Sequence, residues 1–304
     1  MIDNTDRPGL GIAMMLAGIA AFAVMDAIIK WLTADYSVIQ VAAMRSWFGL
    51  PLLTLFALRG GGFGALRSSR PLVHVGRYLL VLGMTLCFFW ALSRMKLVDA
   101  IAITFAAPIF ITALSMPLLR ERVGVHRWLA VCAGFVGVIV MLRPGTGVFQ
   151  WASLVVLASV VFYASLMITT RAFKASESSA TLMLYPQLGM TLTGIVVAPF
   201  FWTAPGLADL GLFAVAGCFG SVGIMCLTHA FRLGPAALIT PFEYSALIWA
   251  TVLGFLVWGE LPDSFTLIGA AIVVCSGLYI IYRERIRVVR PPSKLTSMGP
   301  DDLN

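Results

Sequence analysis

The sequence predicts an all-α membrane protein of ten transmembrane helices arranged as two inverted five-helix repeats, on three observations. Of 304 residues, 60% are hydrophobic and only 12% charged, with a mean hydropathy of +0.94, whereas soluble domains carry about 25% charged residues. The apolar residues gather in runs near the ~20 residues that a helix needs to cross the hydrocarbon. The chain also matches itself when shifted by 139 to 141 positions, which signals internal repetition.

Each element follows from where its apolar run begins and ends. Residues 1–8 carry Asp3, Asp6 and Arg7 and lack the basic start of a secretory signal. The first run, 9–32, is too long for a cleaved leader and is expected to stay as a helix. The second, 38–58, stops at Arg59 and a glycine-rich loop from Gly60; this loop lacks the strand and helix that a phosphate cradle needs. The third and fifth, 75–92 and 128–142, are the shortest, and the fourth, 98–119, ends on Arg120, Glu121 and Arg122.

The second half repeats the plan with runs at 151–170, 181–202, 207–227, 236–258 and 264–282. The ninth contains Pro241, which removes a backbone hydrogen bond and is expected to open that helix within the membrane. After Tyr282 the hydropathy collapses into RERIR, and 284–304 reads as a basic, disordered tail. The halves are thus expected at 9–145 and 149–283.

Basic residues orient the spans, because Lys and Arg near helix ends are retained on the cytoplasmic side. With both termini inside, sixteen basic residues fall in cytoplasmic segments. Only Lys30, Arg94, Lys96 and Arg143 fall outside, and Arg45 lies within a span. The formal charge of +7 is therefore read as a topology signal, and no nucleic-acid partner is expected.

Three matches carry the repeat. Glu121 falls on Glu260, each an acid closing a long apolar helix; Ala91 falls on Ala230; and Lys30 falls on Arg171. Five spans per half is an odd number, so the second half enters the membrane from the opposite side. That is the inverted arrangement on which many secondary transporters build alternating access.

At this point the pattern resembles the drug/metabolite transporter superfamily, in its ten-helix EamA or RhaT-like branch, over residues 9 to 283. The resemblance rests on VMDAIIK at 24–30 with Arg45 opening RSWF, on AAPIF at 106–110 running to Arg122, and on TPFEYSALIW at 240–249 running to Glu260. It implies a secondary transporter of the cell inner membrane with a central cavity, working without ATP. Most often such a protein exports amino acids, metabolites or drugs. The PFEY pattern is also similar to carriers of riboflavin or S-adenosylmethionine, so an uptake carrier is the alternative.

Charges within lipid cost about 2.5 to 3.5 kcal/mol on insertion scales and normally face a cavity or a partner. Asp26, Lys30, Arg45 and Glu243 meet that condition. Asp26 and Lys30, one turn apart, are expected to pair structurally or to handle solute or proton. Arg45 is expected to partner Asp26 or to contact an anionic group directly. Glu243, two residues beyond Pro241, is the leading candidate for binding a solute amine or coupling to protons. Tyr163, Trp90 and Tyr244 are candidates to stack on a solute ring, Tyr244 foremost, against their ordinary use as packing and interface anchors.

Glu121 and Glu260 are expected to cap helices or pair with basic neighbours, and His229 to serve packing. The five cysteines sit in apolar runs without a metal-ligand or CxxC spacing and are read as small packed hydrophobes. No GxxxxGK[ST] loop is present, and no cofactor, metal or enzymatic activity is expected. The partners are a small-molecule metabolite, membrane lipid and, as candidate coupling ion, a proton, with the chain a monomer or homodimer. The competing classes are an intramembrane lipid-modifying enzyme, which would need clustered catalytic groups, and a scaffold, which would need neither repeat nor buried charge.

Overall fold

The computed structural model describes residues 8–61, 68, 70–119, 125–143, 151–173, 177–233 and 236–289. In hydrocarbon each backbone N–H and C=O must be satisfied within the segment, and the apolar runs accordingly become helices. These are α1 (Pro8–Leu32), α2 (Val38–Gly61), α3 (Pro71–Leu92), α4 (Leu97–Thr104), α5 (Ala107–Leu119) and α6 (Val125–Leu142) in the first half. The second half holds α7 (Trp151–Phe173), α8 (Ser179–Val197), α9 (Leu207–Leu233), α10 (Ala236–Ile239), α11 (Ala246–Trp258) and α12 (Ser264–Val289). The described residues contain no strand.

Among the described residues, eight segments are long and apolar enough to cross a membrane, and Trp128–Leu142 and Ser264–Ile280 are shorter apolar helices. Large apolar side chains such as Ile195, Val196, Ile248, Phe255 and Leu256 stand exposed on the outer surface. They form the face that lipid covers. Together these features make a ten-helix membrane protein.

Several expected limits are corrected. The third span is full length because α3 begins at Pro71, a favourable first position for proline. Helix α2 runs through Gly60 to Gly61, so the glycine loop starts later than expected, and its remainder lies outside the described residues. Helix α12 continues past Tyr282 to Val289, since nothing in RERIR breaks a helix. Cys132, Cys218 and Cys275 are exposed instead of packed, which a weakly polar thiol tolerates against lipid.

The fourth span, expected as one helix, is broken: α4 ends at Thr104 and α5 begins at Ala107. The ninth is broken too, by a 3₁₀ turn at Thr240–Ser245 between α10 and α11. Shifted by 139 positions, Phe105 and Ala106 fall on Tyr244 and Ser245. The two breaks are therefore one feature of the repeat, expressed twice, each beside a proline, Pro108 at the start of α5 and Pro241 in the 3₁₀ turn; a break was expected at Pro241 alone.

Hydrogen bonds show which helix ends share a face. At one end Lys30 meets Glu260, Tyr36 meets Asp209, Gln40 meets Thr203, and Lys96 meets the Leu261 carbonyl. At the other, Arg77 near the start of α3 meets Thr169 and Thr170 near the end of α7. Helix α1 thus finishes at the first end while its counterpart α7 finishes at the second, and the halves are inverted.

Packing obeys the same exchange. The pair α1 with α9 corresponds to α7 with α3, while α2 with α8 and α6 with α12 are self-related pairs. Small residues permit the closest crossings. A Cβ added to Gly137 would stand 2.8 Å from the Gly269 carbonyl, and one on Gly269 would stand 2.6 Å from that of Gly137; neither helix can carry a side chain there.

Candidate functional site

The buried charges fall into two groups at different depths. Asp26 lies six residues before the end of α1 and Arg45 seven residues into α2. At 1.5 Å rise per residue both stand about 10 Å below the same end of the bundle. Glu243 lies seven residues beyond the start of α10, toward the opposite end.

Asp26 is buried, and its Oδ1 has no hydrogen-bond partner. Arg45, half-buried, places Nη1 3.8 Å from the Met25 sulfur and its guanidinium over the Phe89 ring at 5.6 Å, while Nε is buried without a partner. Among the described residues no ion pair closes between Arg45 and Asp26, although the two charges attract through space. The expected fixed partnership is replaced by a nearby, unbonded pair. Gly220 on α9 makes room for it, because a Cβ there would meet the Met25 sulfur and Arg45 Nη1.

The expected Asp26–Lys30 pair does not form. Lys30 Nζ instead donates to both oxygens of Glu260 at 2.6 Å and lies over the Trp258 ring at 4.7 Å. Its long stem reaches the end of the bundle, where Glu260 offers a less buried partner. Glu260 also accepts from the Leu97 backbone N–H at 3.2 Å, capping α4. This fulfils the structural role expected of it; Glu121 lies outside the described residues.

The second group is carried by the 3₁₀ turn. Among the described residues the Glu243 carboxylate has no hydrogen-bond or ion-pair partner, and the Tyr244 hydroxyl and Ser245 Oγ are buried without one. Tyr163 of α7 lies within electrostatic reach of Glu243. Tyr244 meets Phe105, its own repeat counterpart, edge to face with centroids 5.1 Å apart. Its hydroxyl occupies the notch left by Gly277, where a Cβ would collide with it. Two breaks thus touch at the axis relating the halves.

Trp90 is not brought to either group: it sits near the end of α3, with Arg94 over its ring at 5.2 Å. The aromatic beside Arg45 is its neighbour Phe89, one position away and on the inner face. His229 donates its Nδ1–H to the Met225 carbonyl at 3.1 Å and packs against Phe56, as expected of a packing residue.

Sequence reasoning missed a polar cluster at the opposite end. His74 Nε2 lies 3.3 Å from Glu177 Oε2, Ser68 donates to Glu177 at 3.1 Å, and Tyr185 stacks on His74 at 4.4 Å. Arg77 bonds Thr169, Thr170 and the carbonyls of Leu166 and Leu182. Starting the third span at Val75 hid His74 outside the helix. At the first end a cavity of about 140 Å³ is lined by Lys96, Asp99, Arg143 and Asp263, but its charges are engaged. Arg143 pairs with Asp263, Thr266 donates to Asp99 at 2.9 Å, and Lys96 donates to Leu261.

The model of the EamA-like transporter family matches residues 9–143 and again 150–283. The chain is 30% identical over 276 residues to a protein of Rickettsia prowazekii named S-adenosylmethionine uptake transporter, covering 90% of this chain and 93% of that one. A riboflavin transporter of Rhizobium johnstonii is 29% identical over 280 residues, covering 91% and 92%. One solved crystal structure superposes with a TM-score of 0.62 at 19% identity, over 92% of this chain and 99% of its own, a likeness of fold.

Proposed function

The chain belongs to the EamA-like transporter family, and from that premise we propose that it is a secondary carrier of a small polar organic solute in the cell inner membrane, with both termini cytoplasmic. The observation that carries this reading is the set of charges within the spans that no opposite charge of the described residues pairs in a salt bridge: buried Asp26 and half-buried Arg45 and Glu243. Unpaired charge in a membrane protein is costly and is kept where a ligand, ion or water meets it.

Asp26 and Arg45 hold the solute, and Glu243, with Tyr244 and Tyr163 beside it, couples movement to a proton. Lys30 and Trp90 are assigned to the end of the bundle instead. The depth difference separates the two tasks, and the paired breaks in the fourth and ninth spans supply the deformable backbone between them.

Uptake is favoured over the export expected from the sequence. Four relatives at 29 to 30% identity are named S-adenosylmethionine uptake transporters. Purified protein in liposomes is expected to take up solute from a panel holding amino acids, S-adenosylmethionine and riboflavin. A panel in which nothing moves in either direction refutes the proposal. A C-terminal reporter that is active only outside the cytoplasm would refute the topology.

A further inference from the structure

We propose that Asp26 and Arg45 form a dipolar recognition site for the amino-acid end of a zwitterionic solute, Asp26 taking the cationic amine and Arg45 the carboxylate. This rests on the transport reading and narrows it to a substrate class.

Neither group has a partner of opposite charge in a salt bridge among the described residues. Asp26 is 7% exposed, yet its Oδ1 has no partner. Arg45 spends one edge of its guanidinium on a thioether and one face on Phe89, neither of which accepts charge-assisted hydrogen bonds of useful strength. Its Nε–H is buried and unbonded. The cation that the sequence offers to Asp26, Lys30, is held by Glu260. No other ion pair to either group is present among the described residues.

A solute with a single charge would satisfy one group and leave the other desolvated and unpaired. A neutral solute would leave both. A zwitterion brings an ammonium to the carboxylate and a planar carboxylate to the guanidinium, the fork geometry that arginine matches best. The two charges of that amino-acid end cancel, so the occupied pair of Asp26 and Arg45 stays neutral on crossing the membrane. The two residues stand at the same depth on helices that both pack on α9, and Arg45 Nη1 reaches the sulfur of Met25, the neighbour of Asp26, over Gly220, which lets one small group touch both. The rest of the solute is unconstrained by this contact, so methionine and S-adenosylmethionine present the same end to it.

The test compares solutes that differ only at that end. Binding to purified wild-type protein, and counterflow in liposomes, are measured for S-adenosylmethionine, its decarboxylated form and its deaminated form. Methionine, 3-(methylthio)propylamine and 4-(methylthio)butyrate form a second series, and riboflavin is the uncharged control. In at least one series the intact zwitterion is expected to bind about tenfold or more tightly than either truncated form.

Arg45→Gln should then bind the intact and decarboxylated forms alike, and Asp26→Asn the intact and deaminated forms alike. Arg45→Lys should restore part of the lost discrimination. Size-exclusion profiles and melting in detergent identify any variant that fails to fold, for which the Arg45→Lys and wild-type selectivities still decide. Variants that weaken every solute equally, or leave the selectivity intact, overturn the assignment. A wild-type protein that moves riboflavin but no zwitterion also overturns it while leaving transport standing. A protein that moves nothing overturns both.

Discussion

Lys30 and Glu260, 230 positions apart, close an ion pair in which one ammonium reaches both carboxylate oxygens at 2.6 Å. The same carboxylate caps α4 through Leu97, and Trp31 and Trp258 flank the pair with ring centroids 6.5 Å apart. One side chain therefore ties the ends of α1, α4 and α11 together and bridges the two halves.

Removing one partner leaves a mostly buried charge unmatched, which costs more than the pair contributes. Lys30→Met and Glu260→Gln are each expected to destabilise the protein by about 1 to 3 kcal/mol. The double variant should be less damaged than the sum of the singles. Melting of the four proteins in one detergent measures the coupling; strict additivity would mean that the pair is not formed.

Glu243→Gln keeps the shape of the side chain and removes its charge and its ability to exchange a proton. The variant is expected to retain solute exchange in counterflow, which needs no coupling ion, and to lose acceleration by an imposed pH gradient. Flux in liposomes with and without the gradient separates these. A variant that follows the gradient as the wild type does would end the coupling assignment.

Tyr244 and Gly277 make a prediction of opposite signs for fold and function. Gly277→Ala puts a methyl where the Tyr244 hydroxyl sits and is expected to cost about 1 to 3 kcal/mol through overpacking. Tyr244→Phe removes a buried hydroxyl that has no partner, so its stability should be unchanged or higher by up to about 1 kcal/mol. Its solute affinity should fall if the hydroxyl meets the solute. The double variant should recover part of the Gly277→Ala loss, read as a melting shift.

What could be read from the sequence was set by solvent. Lipid demands long apolar helices, so ten spans, their inverted halves and the charged residues Asp26, Arg45 and Glu243 within the spans stand out from composition and spacing alone. The break at Phe105–Ala106 did not, although Pro108 follows it and removes the N–H that would bond the Thr104 carbonyl; its alignment with Tyr244 and Ser245 marks it as the counterpart of the break at Pro241. Partner choice was the other gap. Lys30 is one turn from Asp26, but helical neighbours compete with residues hundreds of positions away, and Glu260 won by offering a shared cap at the end of the bundle. Phe89 was passed over for Trp90 because a one-residue difference changes the helix face by about 100°.

The pairing of Arg143 with Asp263 gives the fold a pH dependence outside the membrane spans. Burial pushes the Asp263 carboxyl up, but hydrogen bonds from Arg143 and Thr266, with the charge of Arg143, outweigh it and hold the group below the ordinary value of 3.8. A carboxylate whose folded value is depressed contributes stability that is fully present above its unfolded value and lost as pH falls through the folded one. The contribution should therefore persist at neutral pH and fade below about pH 4. Its size is modest because the Asp263 side chain is 41% exposed and solvent screens the pair; such surface bridges contribute about 0 to 1 kcal/mol. Melting of wild type and Asp263→Asn in detergent between about pH 3 and 7 should show the two curves converging on the acid side. A gap that widens toward low pH would reverse the sign argued here.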